Sequence, residues 1–409
     1  MSYTDRYRTA ENDTRTSRPA GALQALILVF TTQLPIMGLL SIVPIIPLLI
    51  QQFGHNPNAK YLIPLLVTAP SICIALFSPL AGILADRLGR RRLLLASVLG
   101  YGICGFAPFF LSDLTSIIAS RLLLGVMEAV IMTVANTLFG DFFPPEPRRK
   151  WLAVQSAVGS LSGTTLMFIA GLLGSFGWQG PFTLYLLAFP IFILLIIFTW
   201  EPGPRKEDTL APQMEKQRFP VRSLSLVASI TLFCAVLYYV EVLQISQVLH
   251  ALGLKSAAHI GIASAIAGLG VPLGALVFAK LARCTIRVHL SVVFALFSLG
   301  LLGLGKAPNV HWAVAAAFVA QVGCGMLIPV LINWCLAKLS YAHRGRGVGI
   351  WTTAFFLGQF VSPFIVTLLG NQLGGLRPAV AALGGVSLAA LVVASLMLPQ
   401  RQIATSSVS

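Results

Sequence analysis

Residues 82–92 read Gly82-Ile83-Leu84-Ala85-Asp86-Arg87-Leu88-Gly89-Arg90-Arg91-Arg92. One acid, four arginines and two glycines stand here between apolar stretches at 61–84 and 93–111. Each flanking stretch is close to the length of about 20 apolar residues that a helix needs to cross a hydrocarbon core. Charge this dense belongs at a membrane surface, and the glycines allow a tight turn there. The segment therefore reads as a short connection between two spans.

The rest of the chain repeats the pattern. Hydrophobic residues make up 56% of the sequence and charged residues 10%, where a soluble domain is about one quarter charged. Spans are expected at 23–49, 61–84, 93–111, 117–138, 151–173 and 182–198. A second set is expected at 224–248, 260–281, 288–304, 312–336, 348–369 and 379–398. Helices are required, because an open sheet in lipid leaves backbone groups unpaired and these runs are too long and too uniformly apolar for barrel strands. The expected fold class is an all-α membrane protein with 12 transmembrane helices.

Basic residues set the expected orientation, since Lys and Arg in short loops stay on the cytoplasmic side. Of the 28 Lys and Arg, one set of loops holds only Lys60, Lys255, Lys306 and Arg377, and Arg121 stands inside a span. All the others fall in the tails or on the alternate loops, including Arg6, Arg8, Arg15 and Arg18 before the first span. Both termini are thus expected in the cytoplasm. The net charge of +15 then reports topology, with some attraction to anionic lipid, and no nucleic-acid partner is expected. The polar first residues lack the apolar core of a signal peptide. The six cysteines show no metal-ligand spacing, so neither disulfide nor metal is expected.

The one long connection, rich in proline, glycine and mixed charge, divides the spans six and six. The expected organisation is a cytoplasmic tail at 1–20, a six-helix bundle at 21–200, a cytoplasmic linker at 201–223, a second bundle at 224–399 and a tail at 400–409. Weak echoes link the halves. Arg148-Arg149-Lys150 precedes a segment with Gly159 and Gly163, and Arg344-Gly345-Arg346 precedes one with Gly349 and Gly358. The counterpart of the opening segment, Lys280 to Arg287, lacks its Asp and the following Gly, so the halves are not functionally equivalent.

The segment Gly82–Arg92 resembles the signature loop of the major facilitator superfamily, G-x-L-a-D-r-x-G-r-r, and the two six-helix bundles match that family's architecture. The resemblance covers nearly the whole chain and implies a secondary transporter working by alternating access, with no catalytic residues. In the family the loop Asp contacts the eleventh helix. The implied latch is Gly82, Asp86, Arg87, Gly89 and Arg90, with Asp86 approaching a helix start near Gly347 through a dipole interaction of about 0.3–2 kcal/mol. The bland alternative makes the loop a topogenic basic cluster only.

Of the 13 acidic residues only Glu128 and Glu241 fall within the spans. A carboxylate at membrane depth needs a cavity, a partner or a proton, so both are proton-coupling candidates. Glu128 follows Arg121 by seven residues, about two turns or roughly 10 Å along one helix face. Arg121-x-x-x-Gly125 resembles the second superfamily motif, whose arginine is associated with proton transfer in antiporters, which adds Arg121 to the coupling set. The alternative is that both groups merely satisfy neighbouring polar atoms. Helical spacing aligns Cys234, Tyr238, Glu241 and Gln244 in a polar stripe, and in the resembled fold the seventh helix lines the central cavity. The competing reading sends Glu241 snorkelling to the outer interface.

The expected substrate cavity comprises Gln33, Tyr238, Gln244, Asn333, Trp351 and Gln359, with Trp334 and Phe355 completing an aromatic wall. Against this, lone amides in a bundle more often join helices than bind ligand. Drug–proton antiporters usually carry G-x-x-x-G-P-x-x-G-G in the fifth helix. Here Gly159 and Gly163 keep the first spacing, but Thr164-Thr165 follow. Gly358-Gln359-Phe360-Val361-Ser362-Pro363 resembles bacterial efflux-type members.

The leading expectation is a bacterial inner-membrane exporter, a proton antiporter for a small amphiphile such as a drug-like compound, metabolite or siderophore. Its partners would be substrate, protons and the bilayer, with no cofactor beyond the proton gradient and a monomer sufficient. The alternative is an uptake symporter for a small organic acid, sugar or siderophore, with Arg121 binding an anionic group. A non-transporting sensor or an intramembrane enzyme is the remote reading, since no soluble domain and no paired metal-binding histidines are evident.

Overall fold

The computed structural model describes residues 20–202, 220–339 and 343–397. The expected tails, most of the expected linker, and basic residues such as Arg6, Arg205 and Arg401 lie outside the described residues. Twelve helices among the described residues are long and apolar enough to cross a membrane, and no strand is present among them. The first six are α1 (Ala22–Phe53), α2 (Ala59–Leu88), α3 (Arg90–Phe109), α4 (Leu114–Phe142), α5 (Glu146–Gly174) and α6 (Gly180–Phe198). The second six are α7 (Val221–Ala251), α8 (Ala257–Lys280), α9 (Ile286–Gly305), α10 (Val310–Ala337), α11 (Gly345–Leu373) and α12 (Leu376–Leu396).

The opening segment is tighter than a loop. α2 continues through Asp86 to Leu88, and Gly89 alone joins it to α3, with φ at 90°. That left-handed region is open to glycine and strained for other residues. Hereafter the end of the molecule that carries Gly89 is the loop end, and the opposite end is distal.

Proline decides where the spans break. α1 is helical over Ala22–Thr31 and Leu34–Leu40, passes through a short 3₁₀ turn at Val43–Ile45, and resumes at Ile46–Phe53. Pro35, Pro44 and Pro47 each start one of these pieces, since proline suits the first turn of a helix and interrupts its interior. α6 likewise opens as a 3₁₀ segment, Gly180–Leu187, with Pro181 in its first turn.

The halves meet chiefly along two seams, α2 with α11 and α5 with α8, and the distal pieces of α1 also touch α7 and α8. At the second seam backbones touch. A Cβ placed on Gly171 would stand 2.6 Å from the Gly261 Cα, and one on Gly174 would stand 2.9 Å from the Ala257 Cβ. Small residues permit this approach in a membrane, where packing and not hydrophobic exclusion holds helices together. Along the first seam Thr353 Oγ1 donates to the Ala75 carbonyl at 3.1 Å. The second seam lies at the distal end, where Gly171 and Gly174 of α5 meet Gly261 and Ala257 of α8. At the loop end, positions for a Cβ on Gly345 and Gly349 of α11 meet nothing within 4 Å, and Asn136 of α4 and Asn333 of α10 are exposed. The halves close at the distal end and stand apart at the loop end.

Candidate functional site

The break in α1 creates the first site. Ile42 N–H turns to the Leu39 carbonyl at 3.2 Å, which leaves the Gly38 carbonyl without its helical donor. A buried carbonyl needs a partner, and side chains from two other helices supply it. Tyr185 Oη donates to Gly38 O at 2.9 Å, and Arg121 Nη2 donates to Gly38 O at 3.3 Å and to Tyr185 Oη at 2.6 Å. Ser41 Oγ donates to Tyr185 Oη at 3.4 Å. Nearby, Tyr101 Oη donates to the Leu34 carbonyl at 2.5 Å.

The 3₁₀ start of α6 matters here. Residues three apart eclipse in such a segment, so Phe182 and Tyr185 stack with centroids 6.3 Å apart and planes 19° apart. The Arg121 guanidinium carbon stands 5.0 Å from the Tyr185 centroid and 5.8 Å from that of Phe182. Cation–π attraction is strongest when desolvated, and Arg121 is fully buried. Its Nε and Nη1 have no protein partner.

Glu128 reaches the same glycine from the other side. It is buried, its Oε1 has no protein partner, and a Cβ at Gly38 would collide with that oxygen. Arg121 and Glu128 do not pair directly. The ion pairs among the described residues are Arg90–Asp86, Arg90–Asp141 and Arg149–Glu146. Gly38 is the common neighbour of both groups. Gly125, between them on α4, admits α2: a Cβ there would stand 2.5 Å from the Pro70 Cα.

The second site lies in the other half. Glu241 of α7 is fully buried with neither carboxylate oxygen partnered, so it does not snorkel to an interface. Tyr238 and Tyr239 precede it on α7, and Phe355 of α11 meets both rings, at 5.6 and 5.5 Å. Trp351 stacks on Phe355 at 5.5 Å with planes 17° apart. Trp351 Nε1 and Gln359 Oε1, on the same helix, also lack protein partners. Aromatic walls with a few unsatisfied polar atoms suit an amphiphilic ligand.

The remaining expected cavity residues scatter. Gln33 is buried in the other half, where its Nε2 donates to the Val29 carbonyl at 3.2 Å and its Oε1 faces Gly159. Gln244 accepts from Gln247 Nε2 at 2.7 Å and lines a distal cavity. Asn333 is exposed, and Trp334 is buried on α10.

At the loop end Asp86 is 68% exposed and receives Arg90 Nη2 at 3.2 Å. Arg90 Nη1 lies 2.5 and 2.6 Å from the two oxygens of Asp141, at the end of α4. Arg87 is exposed, and Gly82 faces Thr133. Glu201 caps α3, its two oxygens accepting the backbone N–H of Arg90 at 2.6 Å and Arg91 at 3.0 Å. Charge near a helix start is favourable. Asp141, Glu201, Tyr185 and Gly38 were not singled out in the sequence. The proline spacing in α1 was the signal that could have found Gly38.

The sequence profile described as Major Facilitator Superfamily matches residues 26–339 and, again, 245–408. The chain belongs to the Major Facilitator Superfamily. Its relatives include an uncharacterized MFS-type transporter, YceJ of Bacillus subtilis (strain 168). That protein is 25% identical over 80% of this chain and 84% of its own length. The quinolone resistance protein NorA of Staphylococcus aureus is 22% identical over 85% of this chain and 89% of its own. The crystal structure of a D-xylose-proton symporter superposes with a TM-score of 0.72 at 16% identity, covering 92% of this chain and 98% of that one. The protein is therefore a multi-pass membrane transporter of the major facilitator fold, and not an enzyme.

Proposed function

We propose that this transporter is a proton-coupled exporter of a small amphiphile, a drug-like compound or a secreted metabolite such as a siderophore, in a bacterial inner membrane. The observation that carries the reading is Glu128, a partnerless carboxylate at membrane depth that shares Gly38 with Arg121 at the break of α1. An intramembrane acid so placed is a functional group by default. A proton taken or released at Glu128 changes the charge beside the hinge of α1, whose distal pieces pack on α7 and α8 of the other half. The coupling and the rocking of the halves are thereby joined. Glu241, beside the aromatic box of Tyr238, Trp351 and Phe355, serves the substrate or a second proton. Export is favoured by the resemblance to NorA, a quinolone resistance protein. The proposed orientation puts the loop end in the cytoplasm, supported by its arginines, and the proton gradient is the only energy source the reading requires.

One observation favours the alternative, uptake of a small organic anion with protons: Arg121 keeps two nitrogens, Nε and Nη1, without protein partners, and each can give a charge-assisted hydrogen bond to an anion. Direction separates the two. Cells expressing the chain are loaded with a panel of drugs, siderophores and organic acids, and the proton gradient is then collapsed. Export requires that accumulation of the substrate rises on collapse, and uptake requires that it falls. A substrate whose flux ignores the gradient contradicts both.

A further inference from the structure

The distal end holds a cavity of about 540 Å³, lined by Gln244 but by neither buried carboxylate, nor Arg121, nor the aromatic box. This is within the range of small-molecule sites, about 300–1,000 Å³. Both halves build it. α1 and α2 contribute Ile46, Ile50, Ile63 and Thr68, while α7 and α11 contribute Leu243, Gln244, Gln247 and Thr367. Its walls are largely aliphatic, and both halves add polar residues to them.

The charge of the lining is one-sided. Lys60 is the single charged residue among those that line the cavity, and no carboxylate accompanies it. Its ammonium rests 5.0 Å from the centroid of the Tyr61 ring, a contact of modest strength at an exposed site, so the charge stays available to a ligand. The other half lines the same cavity with the Gln244–Gln247 pair. Because Gln247 Nε2 already donates to Gln244 Oε1, Gln244 Nε2 is left to donate elsewhere. A cation on one half and an amide donor on the other, within a largely apolar lining, match a molecule with an anionic head and an apolar body.

We infer that this distal cavity is a second ligand site, separate from the buried carboxylates and the aromatic box, for a small amphiphile bearing a carboxylate or similar anion. The inference stands whether the transporter exports or imports. Because the lining comes from both halves, a bound ligand bridges them at the end where they already close. It therefore favours the conformation seen here over one that opens distally.

The test uses the full-length protein in nanodiscs, with the partly exposed Cys104 and Cys284 replaced by serine and a bimane fluorophore on Asn371→Cys at the cavity. 4-Phenylbutyrate and the matched amine 4-phenylbutylamine are titrated separately. A saturable response to the carboxylate and none to the amine over the same range is expected. Lys60→Gln should weaken it about tenfold, the loss of one charge-assisted contact. Ile50→Trp, which fills the cavity from an exposed position, should abolish it, while Trp351→Ala in the aromatic box should leave it intact. Equal responses to acid and amine overturn the inference. So does a response that survives both Lys60→Gln and Ile50→Trp, or one that disappears with Trp351→Ala.

Discussion

Replacing Gly171 with alanine probes the seam that closes the distal end. The new Cβ would stand 2.6 Å from the Gly261 Cα and 2.8 Å from the Ala257 carbonyl oxygen. Both obstacles are backbone, so no rotamer change relieves them. Carbon atoms rest at about 3.5–4.0 Å, so α5 and α8 must part by about 1 Å. Overpacking of this kind costs about 1–3 kcal/mol. If that penalty falls on the distally closed state alone, the balance of conformations shifts by about 5- to 150-fold toward the distally open one. Spin labels at Phe176→Cys and Lys255→Cys, both exposed at the distal end, report the change by pulsed distance measurement, with a second pair at Arg149→Cys and Arg283→Cys at the loop end. In Gly171→Ala the distal distance should lengthen while the loop-end distance shortens. Unchanged distributions at both ends, in protein that remains folded, would refute the claim that this glycine contact holds the distal gate.

At the loop end, Asp141→Asn should lower stability by about 1.5–3 kcal/mol, because its 8% exposed carboxylate holds Arg90 through two charge-assisted bonds. Asp86→Asn, 68% exposed, should cost under about 1 kcal/mol; apparent thermal midpoints that fall equally contradict this ranking. Tyr185→Phe keeps the ring beneath Arg121 but removes the hydroxyl between Arg121 and Gly38. It should destabilise the protein by about 1–3 kcal/mol and slow transport, and a variant with wild-type stability and flux shows the contact to be idle. Asp113 caps α4, and the hydrogen bonds from Ser116 and Thr115 hold its carboxyl below the usual carboxylate range. A lowered pKa means that the cap's contribution is complete above the ordinary Asp value of about 3.9 and is lost as pH falls through the lowered one. Amide exchange at Ser116, corrected for its intrinsic pH dependence, should lose protection only below that range and be pH-insensitive there in Asp113→Asn.

The spans were legible because bilayer thickness imposes a length and lipid imposes a composition, and all twelve expected stretches overlap the twelve helices. The opening segment pointed to the family through the resemblance of its Gly, Asp, Arg and Gly spacing to the superfamily's signature loop, where dense charge alone indicates only a connection at the membrane surface. Its local form was not legible: helix continues on both sides of Gly89, where a loop was the natural reading. Glu128, Arg121 and Glu241 could be found because charge at membrane depth is rare enough to stand out. Their partners could not. Tyr185 and Gly38 are ordinary membrane residues, and their roles arise from a freed carbonyl and a 3₁₀ turn that bring α1, α4 and α6 to one point. The six expected cavity residues went to several places because amides carry no address. Gln33 turned to its own helix and Gln244 to Gln247, and only Tyr238, Trp351 and Gln359 stayed with the group around the aromatic box. Glu201 was assigned to the linker by its neighbours Pro202 and Gly203, yet it caps a helix far away in sequence.

The central claim is that Glu128 carries the coupled proton. Once a substrate is known, its counterflow and the accompanying proton movement are measured together in proteoliposomes under an imposed pH gradient, for wild type, Glu128→Gln and Glu241→Gln. Glu128→Gln is expected to exchange substrate across the membrane still, but no longer to move protons with it or build a gradient of it. Full proton-driven transport by Glu128→Gln would contradict a coupling role for this carboxylate.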